Sequence, residues 1–442
     1  MTQRARQTAG SPRGAALVLW AAGAIMALGW WQVQQLGDLR RHAIAFLGWF
    51  TVLFIGFAAL LVWVHRRFDR PGAPGERAAL IAVLCWAVLF RLILLPLVPT
   101  LSDDIYRYLW DGRVQLAGVN PYCYAPADPH LAALRDASWT RINHPDIATI
   151  YPPLCQWVFR LAAACSPALP AQKAAFVLWD AAIVALLAAV LPSWGVSPVC
   201  AIVYAWHPLV VTEFGAGGHN DALGLFWLLL GLWLWTCGRR RWAAISWGVG
   251  ALGKIAPAMM GLWLLARRER WPSLGWFLLT IGLGYAPFLG MLGRTTMGLN
   301  QYARHWEFNG SIYTALAWAG AQPWLARTCV LLLWGGAALT IARRETDPRR
   351  FAWWLTGLAI LCSPVVEPWY VVWIVPFLCL YRSGAWLCFT GVVVLSYEVL
   401  VCYAAHGTWC LEPWAQWAQY VPLYAWLIIG WLLRLPEPAR RR

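Results

Sequence analysis

Two adjacent carboxylates, Asp103 and Asp104, open the part of this chain that is richest in groups able to move protons or hold charge. Behind them, within residues 101–153, come Tyr106-Arg107-Tyr108, Asp111-Gly112-Arg113, Gly118 to Tyr122 with Asn120, and Tyr151-Pro152-Pro153; six of the chain's twenty acidic residues fall there. A carboxylate beside a substrate hydroxyl can take its proton as a general base, so Asp104 and Asp103 are the candidate catalytic residues. If Ser102 caps a helix, then Asp104, Tyr108 and Asp111 share one face, and Asp103 finds an ion-pair partner in Arg107 four residues on. Asp104 is then the expected base and Asp103 the alternate. The plainer reading is that both acids only favour the positive start of a helix. Gly118 to Tyr122 reads as a turn followed by extended chain.

Other charged groups sit in apolar surroundings. Lys254 is one of only two lysines, with Lys173, among 35 basic side chains. An ionised side chain inside a bilayer costs roughly 3 kcal/mol or more, so Lys254 is expected to face a cavity and an anion, unless it merely snorkels to the membrane edge. Gly215-Ala216-Gly217-Gly218-His219-Asn220-Asp221, with Glu213 upstream, offers ligands for a divalent cation or a hydrogen-bond donor for phosphate. Its spacing is not diagnostic of a metal, so a cation is possible there but not predicted. Further on, Arg304, His305, Trp306 and Asn309, then Glu367, Trp369 and Tyr370, combine charge with flat rings. Such rings suit an interfacial belt, but 34 tryptophans exceed what a belt needs, and rings also stack on sugar faces.

The elements that must position these groups are membrane helices. Hydrophobic residues make up 60% of the 442, charged residues only 12%, against about 25% charged in soluble domains. Apolar runs near 14–31, 44–64, 78–98, 172–191, 220–237, 272–290, 324–342, 384–403 and 417–434 approach the ~20 residues of a spanning helix. Shorter runs at 151–165, 351–363 and 369–381 bring the expectation to about twelve crossings. The net charge of +15 lies in short loops, at Arg4 to Arg13, Arg66 to Arg77, Arg239 to Arg241, Arg267 to Arg270, Arg343 to Arg350 and Arg440 to Arg442. That is a positive-inside pattern and not a nucleic-acid surface. It places both termini in the cytoplasm and residues 101–150 outside, and the first span reads as a retained anchor. Two stretches break the pattern. Residues 242–266 have arginines at both ends and need a hinge at Gly253 to Pro257. Residues 196–218 carry prolines and glycines, and parity places both their ends outside. The twelve cysteines include no CxxC pair, so a metal or redox site on them is not expected; Cys402 and Cys410 could pair outside. The expected architecture is a single membrane domain over 1–442 with extracytoplasmic loops at 101–150 and 291–323.

Taken in order, Ser102-Asp103-Asp104 with Arg107-Tyr108 and Asp111-Gly112, Gly118 to Tyr122, Tyr151-Pro152-Pro153, His207-Pro208-Leu209 with Gly218 to Asp221, Lys254 to Pro257, Trp306 to Asn309 and Pro368-Trp369-Tyr370 resemble the bacterial polyprenol-phosphate-sugar-dependent glycosyltransferases of the GT-C superfamily, in particular the mannosyltransferase-like integral membrane proteins. The resemblance implies an all-α GT-C bundle with broken helices in the bacterial inner membrane, its active site facing the periplasm or exterior. It implies inverting transfer of a hexose, with mannose the expected one, from a polyprenyl-phosphate donor to a lipid or glycan acceptor. Asp104 or Asp103 would be the base. Lys254, His219, Arg304 and His305 would hold the donor phosphate, and Tyr108, Asp111, Asn120, Tyr122, Tyr151, Asp221, Trp306, Asn309, Glu367, Trp369 and Tyr370 would line the substrates. No cofactor and no nucleic acid is implied; membrane lipids surround an expected monomer. The rival class, a membrane transporter or lipid flippase, shares broken helices and intramembrane charge but would show paired repeats.

Overall fold

The computed structural model describes residues 12–291 and 297–433, so the basic head and the Arg440 to Arg442 tail lie outside the described residues. Among those residues the chain is helical, with no strand beyond isolated pairings of Phe308 and Asn309 with Val365. Helices α1 (Pro12–Gln35), α2 (Ala43–Arg67), α3 (Glu76–Leu94), α4 (Asp104–Leu116), α5 (Pro153–Cys165) and α6 (Leu169–Val190) make up the first half. Among the described residues six helices are long and apolar enough to cross a bilayer, α1, α2, α3, α6, Pro323–Arg344 and Gly384–His406, and a bent pair adds a seventh. Their outward residues, such as Ile25, Ile55, Leu178 and Leu332, are exposed and apolar, as a lipid-facing surface requires. The protein is a multi-pass membrane protein; length and composition do not establish a count near twelve.

Two parts of the expected path need correction. The 13-residue helix α5 does not cross. It packs on α4, where a Cβ added to Gly112 would lie 2.4 Å from the carbonyl oxygen of Phe159, and α6 starts at the level where α3 ends, since Lys173 Nζ donates to Leu94 O at 2.8 Å and Leu97 O at 2.5 Å. The far end of α6 lies beside the start of α3 and the end of α9 (below), through Ser197 Oγ to Glu76 Oε1 at 2.6 Å and Trp194 Nε1 to Thr236 Oγ1 at 3.2 Å. Residues 196–218 therefore run from one side to the other as one broken crossing and do not return to the side they left. The two miscounts cancel, which leaves residue 220 on the same side as 101–150.

That broken crossing contains α7 (Ile202–Ala205) and α8 (Pro208–Val210), which runs into a π-helical turn, Val211–Ala216, with a 56° bend between the halves. Pro208 has no N–H to give and ends the first half. The N–H of Leu209 is taken by its capping residue, His207 Nδ1, at 3.2 Å, which leaves the carbonyl of Ala205 without its helical donor. Arg91 supplies one at 2.6 Å, and its Nε is in turn held by Asp180 at 2.6 Å, all buried.

The expected hinge near Gly253 is present. Helix α9 (Asp221–Thr236) is followed by α10 (Arg240–Ala251), then a break at 252–254, then α11 (Ile255–Ala258) and α12 (Met260–Leu265). Trp263 packs on Trp235 with ring centroids 4.9 Å apart, and Trp263 Nε1 and Arg267 Nη2 donate to Glu345 O and Arg343 O. The chain thus returns to the end it came from, and Lys254 is left at the tip. Helix α13 (Trp271–Tyr285) and helix α14 (Met297–His305) follow, and α14 joins the cap formed by 101–150 and α5. The twelve cysteines are free thiols, Cys402 and Cys410 included.

Cysteine accessibility tests the corrected path. In a background cleared of exposed native cysteines, Ala168→Cys should label from the same side as positions in 101–150, and Ser193→Cys only from the opposite side. Labelling of both from one side would restore the extra crossing.

Candidate active site

The site is assembled where the glycine turn after the broken crossing, the tip of the 252–254 break and the start of α4 meet. Gly218 has φ +68, a conformation that disfavours other residues. A Cβ on Gly217 would lie 2.8 Å from both the Glu213 carbonyl and the His219 ring. These two glycines let the chain fold back so that His219 lies against Glu213 while α9 begins at Asp221. His219, Asn220, Asp221 and Glu213 are all buried.

Asp104 lies half-buried at the first turn of α4, with 23% of its side chain exposed. Its neighbours are Asn143 Nδ2, 3.4 Å from Oδ1, and His219 Nδ1, 4.0 Å from Oδ2. Burial pushes its carboxyl up to about 6; the Lys254 charge and the Asn143 hydrogen bond oppose that rise, and Asp221 and Asp103 add to it. Such a group is ionised at neutral pH yet basic enough to accept a proton.

Asp103 is engaged, but not with Arg107. Arg40, in the α1–α2 connection, donates to both its oxygens at 2.8 Å, which ties that connection to the head of α4. Arg107 turns instead to Asp111 at 2.9 Å. The Asp111 carboxylate also accepts from Thr149 Oγ1 at 2.5 Å and Gln156 Nε2 at 2.9 Å, a closed network in which Asp111 holds the cap to α5. Ser102 sits one residue before the N-cap position, which Asp103 occupies, and its Oγ accepts from the Asp104 N–H at 3.3 Å.

The charged tip is also engaged. Lys254 Nζ stands 3.1 Å from Asp221 Oδ2, and Asp221 Oδ1 accepts from Trp373 Nε1 at 2.7 Å. Lys254 keeps 15% of its side chain exposed and lies over the Tyr370 ring, 5.9 Å from its centroid, while the Tyr370 hydroxyl meets that of Tyr302 at 2.9 Å. His219 is stacked on the preceding ring, Trp369, at 4.0 Å. Neighbouring rings of a single turn thus underlie both the imidazole beside Asp104 and the ammonium. Glu367, next to them, is within electrostatic reach of Asp104 and Glu213.

Several expected residues lie elsewhere. Arg304 and His305 are exposed on α14, and Arg304 Nε bonds Asn300 at 3.0 Å. Asn309 is buried, donating to Val366 O and Gln419 Oε1. Tyr122 donates to Tyr151 O at 2.7 Å, and Tyr108 and Tyr151 pack ring to ring at 5.0 Å inside the cap. Asn120 closes a turn by accepting from the Tyr122 N–H at 3.0 Å, so a second turn, not extended chain, follows Gly118. Trp306 packs on His144 at 4.5 Å, where the cap meets α14. His219, flanked by two carboxylates, does not offer its ring edge to a phosphate. Arg40, Asn143, Lys173, Tyr302, Trp373 and Tyr397 are not among the expected site residues. Lys173 carries the same signal as Lys254, its rarity; the rest are ordinary residues placed by tertiary structure.

A family model described as alpha-(1->6)-mannopyranosyltransferase, N-terminal domain, matches residues 7–268, more than half of the chain, and the chain belongs to this family. It is thereby a membrane glycosyltransferase of a mannose-transferring family. The match spans Asp103, Asp104, Glu213 to Asp221 and Lys254, whereas α14 and Glu367 to Tyr370 lie beyond it. No curated protein and no solved structure matches.

The Lys254–Asp221 pair has a stability consequence. Lys254→Met leaves a buried carboxylate without its cation, which typically costs about 3–5 kcal/mol. Thermal unfolding of the detergent-solubilised protein should show a clear loss for Lys254→Met and a partial recovery when Asp221→Asn is added. An unchanged midpoint in Lys254→Met would show that the pair does not form.

Proposed function

We propose that the protein transfers a mannosyl group from a polyprenyl-phosphate donor to a hydroxyl of a lipid or glycan acceptor, by one inverting displacement at the extracytoplasmic surface. The observation that carries this reading is the half-buried Asp104 with a raised pKa, within electrostatic reach of a cation, Lys254, that sits over Tyr370.

Asp104 takes the proton of the acceptor hydroxyl as its oxygen attacks the anomeric carbon. The bond from that carbon to the phosphate oxygen breaks with its electron pair, and charge gathers on the departing lipid phosphate. Lys254 and the paired hydroxyls of Tyr302 and Tyr370 are the groups placed to meet that charge. Lys254 is already shared with Asp221, so the hydroxyls supply part of the stabilisation. An α-(1→6) product, the bond in the family's description, formed by one inversion, requires a β-linked donor and an acceptor offering a 6-hydroxyl. The membrane setting supports a lipid-linked donor, whose chain stays in the bilayer while its headgroup enters the cap. Asp103, tied to Arg40, orients the head of α4.

Purified protein in lipid nanodiscs, given labelled polyprenyl-phosphate β-mannose and octyl α-mannoside as acceptor, should form an α-(1→6) product. Asp104→Asn should lower that rate by about 10²-fold or more, in keeping with loss of a general base. Asp103→Asn breaks a partly exposed pair, typically about 1 kcal/mol or less, and should slow transfer less. Wild-type-like transfer by Asp104→Asn, or use of a nucleotide sugar in place of the lipid donor, would overturn the reading.

A further inference from the structure

We propose that the arginines at the base of the α10–α12 hairpin bind the headgroup of an anionic phospholipid, which clamps together the two limbs of the hairpin that carries Lys254. This lipid site lies at the opposite end of the hairpin from the charged tip, and it does not rest on the reading of Asp104 as base.

Arg240 leads into the first limb, and Arg267 and Arg270 follow the second. They converge on one pair of rings. Trp235 and Trp263 pack with centroids 4.9 Å apart; Arg240 lies over Trp235 at 5.5 Å and Arg270 over Trp263 at 3.6 Å. Arg270 also donates to Trp263 O at 2.9 Å and is within electrostatic reach of both Arg267 and Arg240. Arg343 joins them, since Arg267 Nη2 donates to its carbonyl at 2.9 Å.

The acids of this face do not balance these charges. Glu269 stands 3.8 Å from Arg267 and is 62% exposed, so that pair is weak. Glu345 Oε1 accepts from the N–H groups of Thr346 and Asp347, each at 2.9 Å, and is spent on its own turn. Arg240 and Arg343 are exposed, and neither side chain has an ion pair or hydrogen bond among the described residues. Like charges at the feet of two limbs push them apart, and an anion between them draws them together. The surroundings favour a lipid over a soluble anion. Leu265 and Trp271 are exposed beside the arginines, and Leu278 and Leu279 continue that apolar surface along α13. A phosphate held at the arginines thus leaves its acyl chains on α13. Basic clusters at helix ends attract anionic headgroups, and the guanidinium fork matches two phosphate oxygens. The tip of the same hairpin sets Lys254 against Asp221, so a clamp at its base steadies that contact.

The test titrates full-length protein in a zwitterionic detergent with phosphatidylglycerol, with phosphatidylcholine and with inorganic phosphate. Phosphatidylglycerol should raise the thermal midpoint saturably by about 3 °C or more and slow amide exchange at residues 250–258; the other two should do neither. Arg240→Gln with Arg343→Gln should lose at least half of both effects, and Arg343→Gln alone serves if the pair weakens the fold. Arg66→Gln with Arg77→Gln removes the same charge from exposed positions at the end of α2 and the start of α3, on the same side, and should keep both effects. An equal loss in that second pair would mean diffuse attraction to a basic surface and overturn the proposal. So would an equal response to phosphatidylcholine or to phosphate, or a raised midpoint with unchanged exchange at 250–258.

Discussion

Lipid offers no hydrogen bond to a free carbonyl, and the carbonyl of Ala205 is free because Pro208 ends the helix there and His207 takes the next N–H. Arg91 satisfies that carbonyl, and Asp180 satisfies Arg91. This buried chain of bonds joins α3, α6 and the broken crossing, and it is what allows a helix to stop inside the protein. Past the break, the π turn places Glu213, and the Gly217-Gly218 turn reverses the chain so that His219 comes back beside Glu213. Lys173, which caps the carbonyls at the end of α3, also packs against Gly218. The same bonds that hold the fold therefore set the position of the polar loop.

At the site, carboxylates outnumber cations. Asp104, Glu213, Asp221 and Glu367 gather around Lys254 and the uncharged ring of His219. Each is treated differently by its surroundings. Asp221 has a cation and an indole N–H, Glu213 has a tyrosine hydroxyl, and Asp104 has only a long contact to Asn143. Of the two acids at the head of α4, Asp104 is the less supported and the better placed to accept a proton. That ordering, and not the mere presence of acids, singles out Asp104 from Asp103, which Arg40 holds through both oxygens.

The membrane character, the hinge near Lys254 and the family resemblance were legible in the sequence, because each is written in composition or in a local run of residues. What the sequence did not carry is pairing at a distance. Arg107 four residues after Asp103 looked like its partner, yet Arg40 sits 63 residues away and reaches it first. Asp111 shares the spacing of Asp104 but is consumed by Thr149 and Gln156. Hydrophobicity made α5 look like a crossing. Its burial against α4 and the anchoring of Lys173 to Leu94 and Leu97 show that it belongs to the cap. Arg304 and His305 had the right chemistry for a phosphate and the wrong place, since α14 exposes them.

The central claim is that Asp104 is the base and that its surroundings set its proton affinity. The pH dependence of kcat/KM for the acceptor reports on the free enzyme's essential groups. Because transfer needs the ionised carboxylate and burial raises its pKa to about 6, activity should fall as pH drops through about 6. Asn143→Ala, which removes the hydrogen bond favouring the charged form, should move that acid limb to higher pH. An acid limb near 4, the ordinary carboxylate range, or one that Asn143→Ala leaves unmoved, would contradict the account.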